Sequence, residues 1–162
     1  MTLLSGLYEE LAKKIGTEIP EIKWVDTWQN QLPKDGSEPA FPSPAVFIDL
    51  KSLEYYDMGD RAQTSDFKVD FLLFAPSQKD YTAAYETSAL SFMELLDRLH
   101  KTFHATDGNY YASMHRTKLK HKKSYGTGNF HRLCFGCMVN DASTACDYVD
   151  VMVNDVNVER GE

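Results

Sequence analysis

The chain has 162 residues, of which 43% are hydrophobic and 25% are charged, and its formal net charge is −7. This length suits one domain with a sizeable core, and the composition excludes a disordered chain. A chain this acidic repels phosphate backbones overall, and no apolar run approaches the roughly 18 residues that a membrane span needs, so we expect neither non-specific nucleic-acid binding nor membrane insertion.

The first predicted element is an amphipathic helix at the start of the chain. Its apolar residues recur every three or four positions from Leu3 to Ile15, and Gly16 is expected to close it. A strand is predicted next, over 22–28. The following segment, 29–44, contains four prolines and is predicted to be an irregular loop.

Two predicted strands flank a polar segment. Residues 45–50 are apolar and β-branched, which is typical of a buried strand. Residues 51–66 are polar and are predicted to form a second long loop or a hairpin. The stretch 67–74 alternates and then becomes continuously apolar, as expected of a strand that enters the middle of a sheet.

The second helix gives the clearest pattern in the chain. Asp80 can cap it, and an apolar stripe extends from Tyr85 to Phe103. Three more strands and a glycine hairpin turn are predicted after it. In chain order they are the strand 110–123, the turn 125–128, and the strands 129–139 and 147–158.

The element order α-β-β-β-α-β-β-β predicts an α+β fold. Two amphipathic helices and alternating strands imply a two-layer sandwich, with a mostly antiparallel or mixed β-sheet and both helices packed on one face. The sequence shows no internal repeat and no linker, so residues 1–162 are predicted to form a single domain.

Three cysteines raise the question of a metal site. An odd number of cysteines (Cys134, Cys137 and Cys146) favours a reducing compartment. Cys134 and Cys137 resemble half of a zinc site, but residues three apart on an alternating strand face opposite sides of the sheet. Two small buried hydrophobic side chains explain them as well. We predict no metal and no cofactor.

Other side chains could suggest an enzyme. Asp66, Lys68 and Asp70 alternate on one strand face and define a hypothetical small metal-dependent nuclease, although a solvated sheet face shows the same alternation. His100 and His104 have the i, i+4 spacing of a zinc-protease pair, but lysine replaces the glutamate that this motif requires after the first histidine. We therefore predict no enzyme and keep the nuclease as an alternative.

A run of cations is the most unusual feature of the sequence. Arg116, Lys118, Lys120 and Lys122 are predicted to share one face of a strand, and residues 115–123 contain no acid. Three interpretations stay open. The run could protect an edge strand from stray pairing, meet an acidic patch on a neighbouring subunit, or contact passing DNA, which the net charge disfavours.

Five tyrosines lie in predicted loops or at predicted strand ends, where an exposed tyrosine is a typical interface anchor. Together with the four cations they make up the predicted subunit or partner interface. The tyrosines are Tyr55, Tyr56, Tyr110, Tyr111 and Tyr125.

The layout of the chain resembles the tail terminator (tail completion, head–tail joining) proteins of long-tailed phages and prophages. The segment 29–44 has no counterpart in that pattern. The matching features, in order, are the short N-terminal helix, Ile19-Pro20-Glu21-Ile22-Lys23-Trp24-Val25, Pro44-Ala45-Val46-Phe47-Ile48, the strand 67–74, the helix 81–103 and Gly128-Asn129-Phe130-His131-Arg132.

This resemblance implies a structural virion protein of the head–tail junction, assembled in the cytoplasm of the bacterial host. Such proteins form a ring, commonly of six copies, that ends the tail and joins it to the head connector. The implied partners are other copies, the tail-tube and connector proteins and DNA passing in the channel, with no small-molecule substrate. The loops 51–66 and 108–127 would make subunit contacts. A monomeric bacterial binding module is the other alternative.

Overall fold

The structure is a computed structural model that describes residues 2–59, 61–76 and 87–141. Two helices lie on one face of a five-stranded mixed sheet in these ranges, which confirms the predicted α+β sandwich. The predicted strand 147–158 and the predicted start of the second helix lie outside the described residues. The elements are α1 (Leu3–Glu18), β1 (Trp24–Thr27), β2 (Ala45–Gly59), β3 (Ala62–Pro76), α2 (Thr87–Phe103), β4 (Ala112–His121) and β5 (Gly128–Asp141).

The strands are arranged in the order β1-β2-β3-β5-β4. The short β1 is parallel to β2, and the other neighbouring pairs are antiparallel. Within the described ranges, β2 has no strand on its outer side beyond Ile48, and β4 forms the opposite edge of the sheet. The sheet therefore presents two partly open edges.

The helix α1 continues past Gly16, where the sequence predicted its end. It ends at Glu18, and the backbone N–H of Ile19 still donates to the carbonyl of Ile15. Ile19 is fully buried, so the extra turn brings one more apolar side chain into the core. Burial of that side chain outweighs the weak helix preference of glycine. Neither described helix is long and apolar enough to cross a lipid bilayer.

The main core fills the space between the helices and the sheet. Phe71 of β3 stacks on Phe103 of α2 with ring centroids 4.4 Å apart, and the ring of Phe135 meets Phe71 edge-on. All three rings are at most 1% exposed. Burial of each ring contributes roughly 1.5–3 kcal/mol, and this face of the sheet carries the larger of the two cores.

We call the sheet face that packs against the helices the helix face, and the opposite one the open face. A second, smaller core covers one end of the open face. Leu32 and Phe41 come from the proline-rich segment 29–44 and pack over the sheet there. The ring of Phe41 lies 5.0 Å from that of Phe47 in an edge-on contact. The segment 29–44, which was predicted only to be an irregular loop, therefore covers this end of the open face.

The polar segment 51–66 forms a hairpin, the second of the two structures predicted for it. The strands β2 and β3 stay paired from Ala45 to the turn beside Gly59, which has φ of +82°. Side chains are buried where β2 begins and exposed where it ends. We call the outer part of this hairpin, residues 53–59 and 61–66, the arm.

Candidate interaction surfaces

The arm carries exposed aromatic and apolar side chains on regular strands. Tyr55 lies opposite Ser65, and Tyr56 opposite Thr64. The exposed fractions are 44% for Tyr55, 50% for Tyr56 and 65% for Met58. Because neighbouring strand residues point to opposite faces, the arm presents a tyrosine on each face. The backbone is ordered by the ladder, and these side chains are free to bind a partner.

The arm is also acidic. Glu54 lies directly opposite Asp66 on the open face, and like charges in that position destabilise a sheet. The hydroxyl of Tyr56 donates to the Glu54 carboxylate over 3.4 Å, and the Glu54 charge raises the pKa of Tyr56 above its usual range. A cationic partner would relieve this repulsion.

The four predicted cations do not share one face of β4, and Lys122 lies just beyond the end of this strand. Lys118 and Lys120 lie opposite residues of β5 on the open face, whereas Arg116 lies opposite Phe135 on the helix face. The prediction is therefore wrong for Arg116. A register shift between Arg116 and Lys118 adds one residue to β4, and such a bulge reverses the alternation.

A small groove lies where β4 ends and the proline-rich segment crosses the open face. We call it the basic groove; its volume is about 360 Å³. Trp28, Leu32 and Phe130 give it apolar walls, and Lys122 and Lys123 add positive charge. The remaining lining residues are Asn30, Lys34, His121, Tyr125 and Arg132.

The predicted interface tyrosines differ in exposure. Tyr125 is 46% exposed in the β4–β5 turn, as predicted, but Tyr111 is only 3% exposed. The Tyr111 hydroxyl accepts a hydrogen bond from Lys14 at 3.0 Å. Tyr110 is half-buried, and its ring occupies the space that a side chain at Gly6 would need. The prediction of exposed anchors is therefore wrong for Tyr111, because this pair attaches the chain before β4 to α1.

The three residues of the nuclease alternative, Asp66, Lys68 and Asp70, share the open face, as predicted. They line a larger groove of about 770 Å³. Asp66 and Asp70, however, are four residues apart on one strand, a separation of roughly 13 Å, which is too far to share a metal ion. Asp70 instead lies 3.4 Å from Arg132 in an ion pair. The described residues contain no cluster of three or more potential metal ligands.

The two described cysteines face opposite sides of β5. Cys137 is buried in the main core, where burial raises its pKa to about 12. Cys134 lies on the open face, and burial together with Asp70 raises its pKa to about 11. Both thiols are therefore protonated at neutral pH. Since they point apart, they cannot bind the same metal ion.

The histidine pair at the end of α2, with His104 just after its last residue, is involved in packing. The rings of His100 and His104 lie 4.6 Å apart, and the Nδ1 atom of His104 accepts the backbone N–H of Arg116 at 3.1 Å. Burial lowers the pKa of His100, and its Nδ1 atom has no hydrogen-bond partner among the described residues. These contacts join α2 to β4 and leave His104 without a free Nδ1 atom for a metal.

Comparison with solved structures gives similarity at the level of the chain path. No known protein family and no curated protein matches the chain. A chain of the solved structure described as "Virion of native gene transfer agent (GTA) particle" is similar over 83% of this chain and 95% of that one, with a TM-score of 0.46 and 9% sequence identity. A similarity of this size does not assign a function.

Proposed function

We propose that the chain is a structural virion protein of a tailed phage or prophage. It forms a ring at the head–tail junction, where it completes the tail and joins it to the connector. The layout resemblance to tail terminators motivates this proposal. The arm is the single observation that carries it. Tyr55 and Tyr56 lie on paired strands, Met58 lies in the register shift beside the turn, and all three side chains are about half exposed or more.

The arm is better explained by assembly than by a monomer. Monomers usually protect exposed sheet edges with charge, bulges or covering segments, and a long exposed strand carrying aromatic side chains promotes association. Within the described ranges, β2 beyond Ile48 has an open edge, and β4 lies at the other side of the sheet. Two different surfaces on one chain suit head-to-tail contacts, and such contacts form rings when the rotation closes.

The experiment is to measure the mass of the purified chain by light scattering and to image it by electron microscopy. We expect a closed ring and expect Tyr55→Ala together with Tyr56→Ala to abolish it. The matched control is Leu90→Ala, which removes a 53% exposed apolar side chain from α2.

A strictly monomeric chain that also fails to bind the ends of tail tubes would refute the proposal and favour a monomeric binding module. DNA cleavage that needs a divalent metal and is lost in Asp70→Ala, with the variant still folded by circular dichroism, would favour the nuclease.

A further inference from the structure

The arm and the basic groove lie at opposite ends of the sheet. The strand β5 begins at Gly128, beside the groove, and ends at Asp141, where it pairs with Gln63 of the arm. At about 3.4 Å per residue, the 14 residues of β5 span roughly 45 Å. An arm therefore cannot reach the groove of its own chain, and only a second copy can bring the two together.

The two surfaces have complementary charge. Residues 52–66 contain four acids and one base, whereas residues 115–123 contain five bases and no acid. The ion pairs recorded among the described residues use none of the groove lysines. The acid closest in sequence, Asp35, follows Lys34 but accepts the backbone N–H of Ser37 at 3.0 Å. Arg132 of the groove pairs with Asp70, but the groove lysines have no described ion-pair partner within the chain.

Their shapes and polarity also correspond. The groove is lined by the aromatic side chains of Trp28 and Phe130 and by lysines. The arm presents Tyr56 and Met58 between acidic residues. A volume of about 360 Å³ is near the lower end of ligand pockets, so the groove has room for a few side chains. DNA is a weaker candidate, because the chain carries a net charge of −7.

We infer that the basic groove is the docking site for the acidic arm of another copy of this chain. The inference rests on the proposed function and gives its ring contact a location. Carboxylates of the arm pair with Lys122 and Lys123, and an aromatic or apolar side chain of the arm covers Trp28. Because donor and acceptor surfaces differ, each copy gives one contact and receives one.

The test is charge reversal on each side, with self-association measured by sedimentation equilibrium. The arm variant combines Glu54→Lys with Asp57→Lys, and the groove variant combines Lys122→Glu with Lys123→Glu. We expect either to weaken association by at least roughly tenfold, because like charges then meet. An equimolar mixture of the two variants should restore association, since opposite charges face each other again.

A control variant completes the test, and three results would overturn the inference. Lys23→Glu with Lys101→Glu reverses two exposed lysines outside the groove and should change nothing, and circular dichroism verifies the folding of every variant. A wild-type chain that stays monomeric overturns the inference. Rings that still form in both charge-reversal variants also overturn the inference, although the proposed function then stands. Arm-to-groove contacts that build only open chains refute the ring and preserve the inference. Groove reversal that abolishes binding to a DNA oligonucleotide, with association unchanged, assigns the groove to DNA and overturns the inference.

Discussion

The two halves of the β2–β3 hairpin share one ladder but differ in what surrounds them. Near Phe47 and Phe71 both faces of the sheet are covered, by the helices on one side and by the segment 29–44 on the other. Around Tyr55 and Tyr56 the side chains are about half exposed. Strand pairing extends along the whole hairpin, with register shifts at Leu50–Ser52 and Asp57–Gly59, whereas burial along β2 ends before the arm. The inner half stabilises the fold, and the arm is available to another molecule.

The largest expected effect is the difference in stability lost when an aromatic side chain is removed from the inner half of the hairpin or from the arm. Phe71→Ala should lower the free energy of unfolding by about 3–5 kcal/mol, because it removes a fully buried ring that stacks on Phe103. Tyr55→Ala should change it by no more than about 0.5 kcal/mol, as for other surface sites. Urea denaturation at a concentration where the chain is dissociated measures both. Similar losses at the two positions would contradict the contrast.

Breaking the Asp70–Arg132 pair should have the next largest effect. In Asp70→Ala the Arg132 guanidinium, only 19% exposed, loses its carboxylate, and we expect a loss of about 3 kcal/mol. The matched control, Glu38→Ala, removes an exposed carboxylate outside the sheet and should change stability little. The denaturation midpoints of the two variants give the comparison. An unchanged midpoint in Asp70→Ala would show that the pair contributes nothing.

Two histidines that lie between the helices and the sheet, His100 and His131, should make the free energy of unfolding depend on pH. Burial lowers the pKa values of His100 and His131 below 6.5 in the folded chain. The unfolded chain then binds more protons in mildly acidic solution, so the stability present above pH 6.5 falls as the pH decreases towards the lowered values. Denaturation midpoints across this range measure the slope. His131→Gln should make this slope smaller. An unchanged slope in that variant would show that His131 does not cause the pH dependence.

The smallest expected effect is an increase in stability. Glu54→Gln removes one of two facing carboxylates on the arm, so the dissociated chain should become slightly more stable at low salt. The difference should disappear at high salt, where exposed charges are screened. Glu38→Gln, an exposed acid outside the arm, is the control. A decrease in stability would show that the charge of Glu54 is favourable within the isolated chain.

Local sequence patterns predicted most of this architecture. The features that they did not predict mostly depend on contacts between residues distant in sequence. The alternation and then continuity of 67–74 correctly indicated a strand covered on both faces. No local pattern indicated that segment 29–44 covers the sheet, because an irregular chain has no periodicity to read. The bulge that turns Arg116 to the helix face adds a single residue without a sequence signal. Tyr111 was misplaced because its hydrogen bond to Lys14 crosses 97 positions.

The sequence also predicted only part of the proposed contact surfaces, because the rest depends on contacts between residues distant in sequence. The hairpin alternative for 51–66 and the exposed tyrosines of the arm followed from composition. The basic groove did not, since it needs Trp28 and the segment 29–44 to meet the end of β4. The ion pair between Asp70 and Arg132 was also missed, because each residue looked like an ordinary charge on a solvated strand face.

Hydrogen–deuterium exchange, compared between the dissociated and the assembled chain, tests the central claim most directly. The inner half of the hairpin should be protected in both forms. The amides of residues 53–59 on the outer edge of β2 should exchange faster in the dissociated chain and become protected on assembly. If exchange across 53–59 is the same in both forms, the arm does not join copies of this chain, and the account is contradicted.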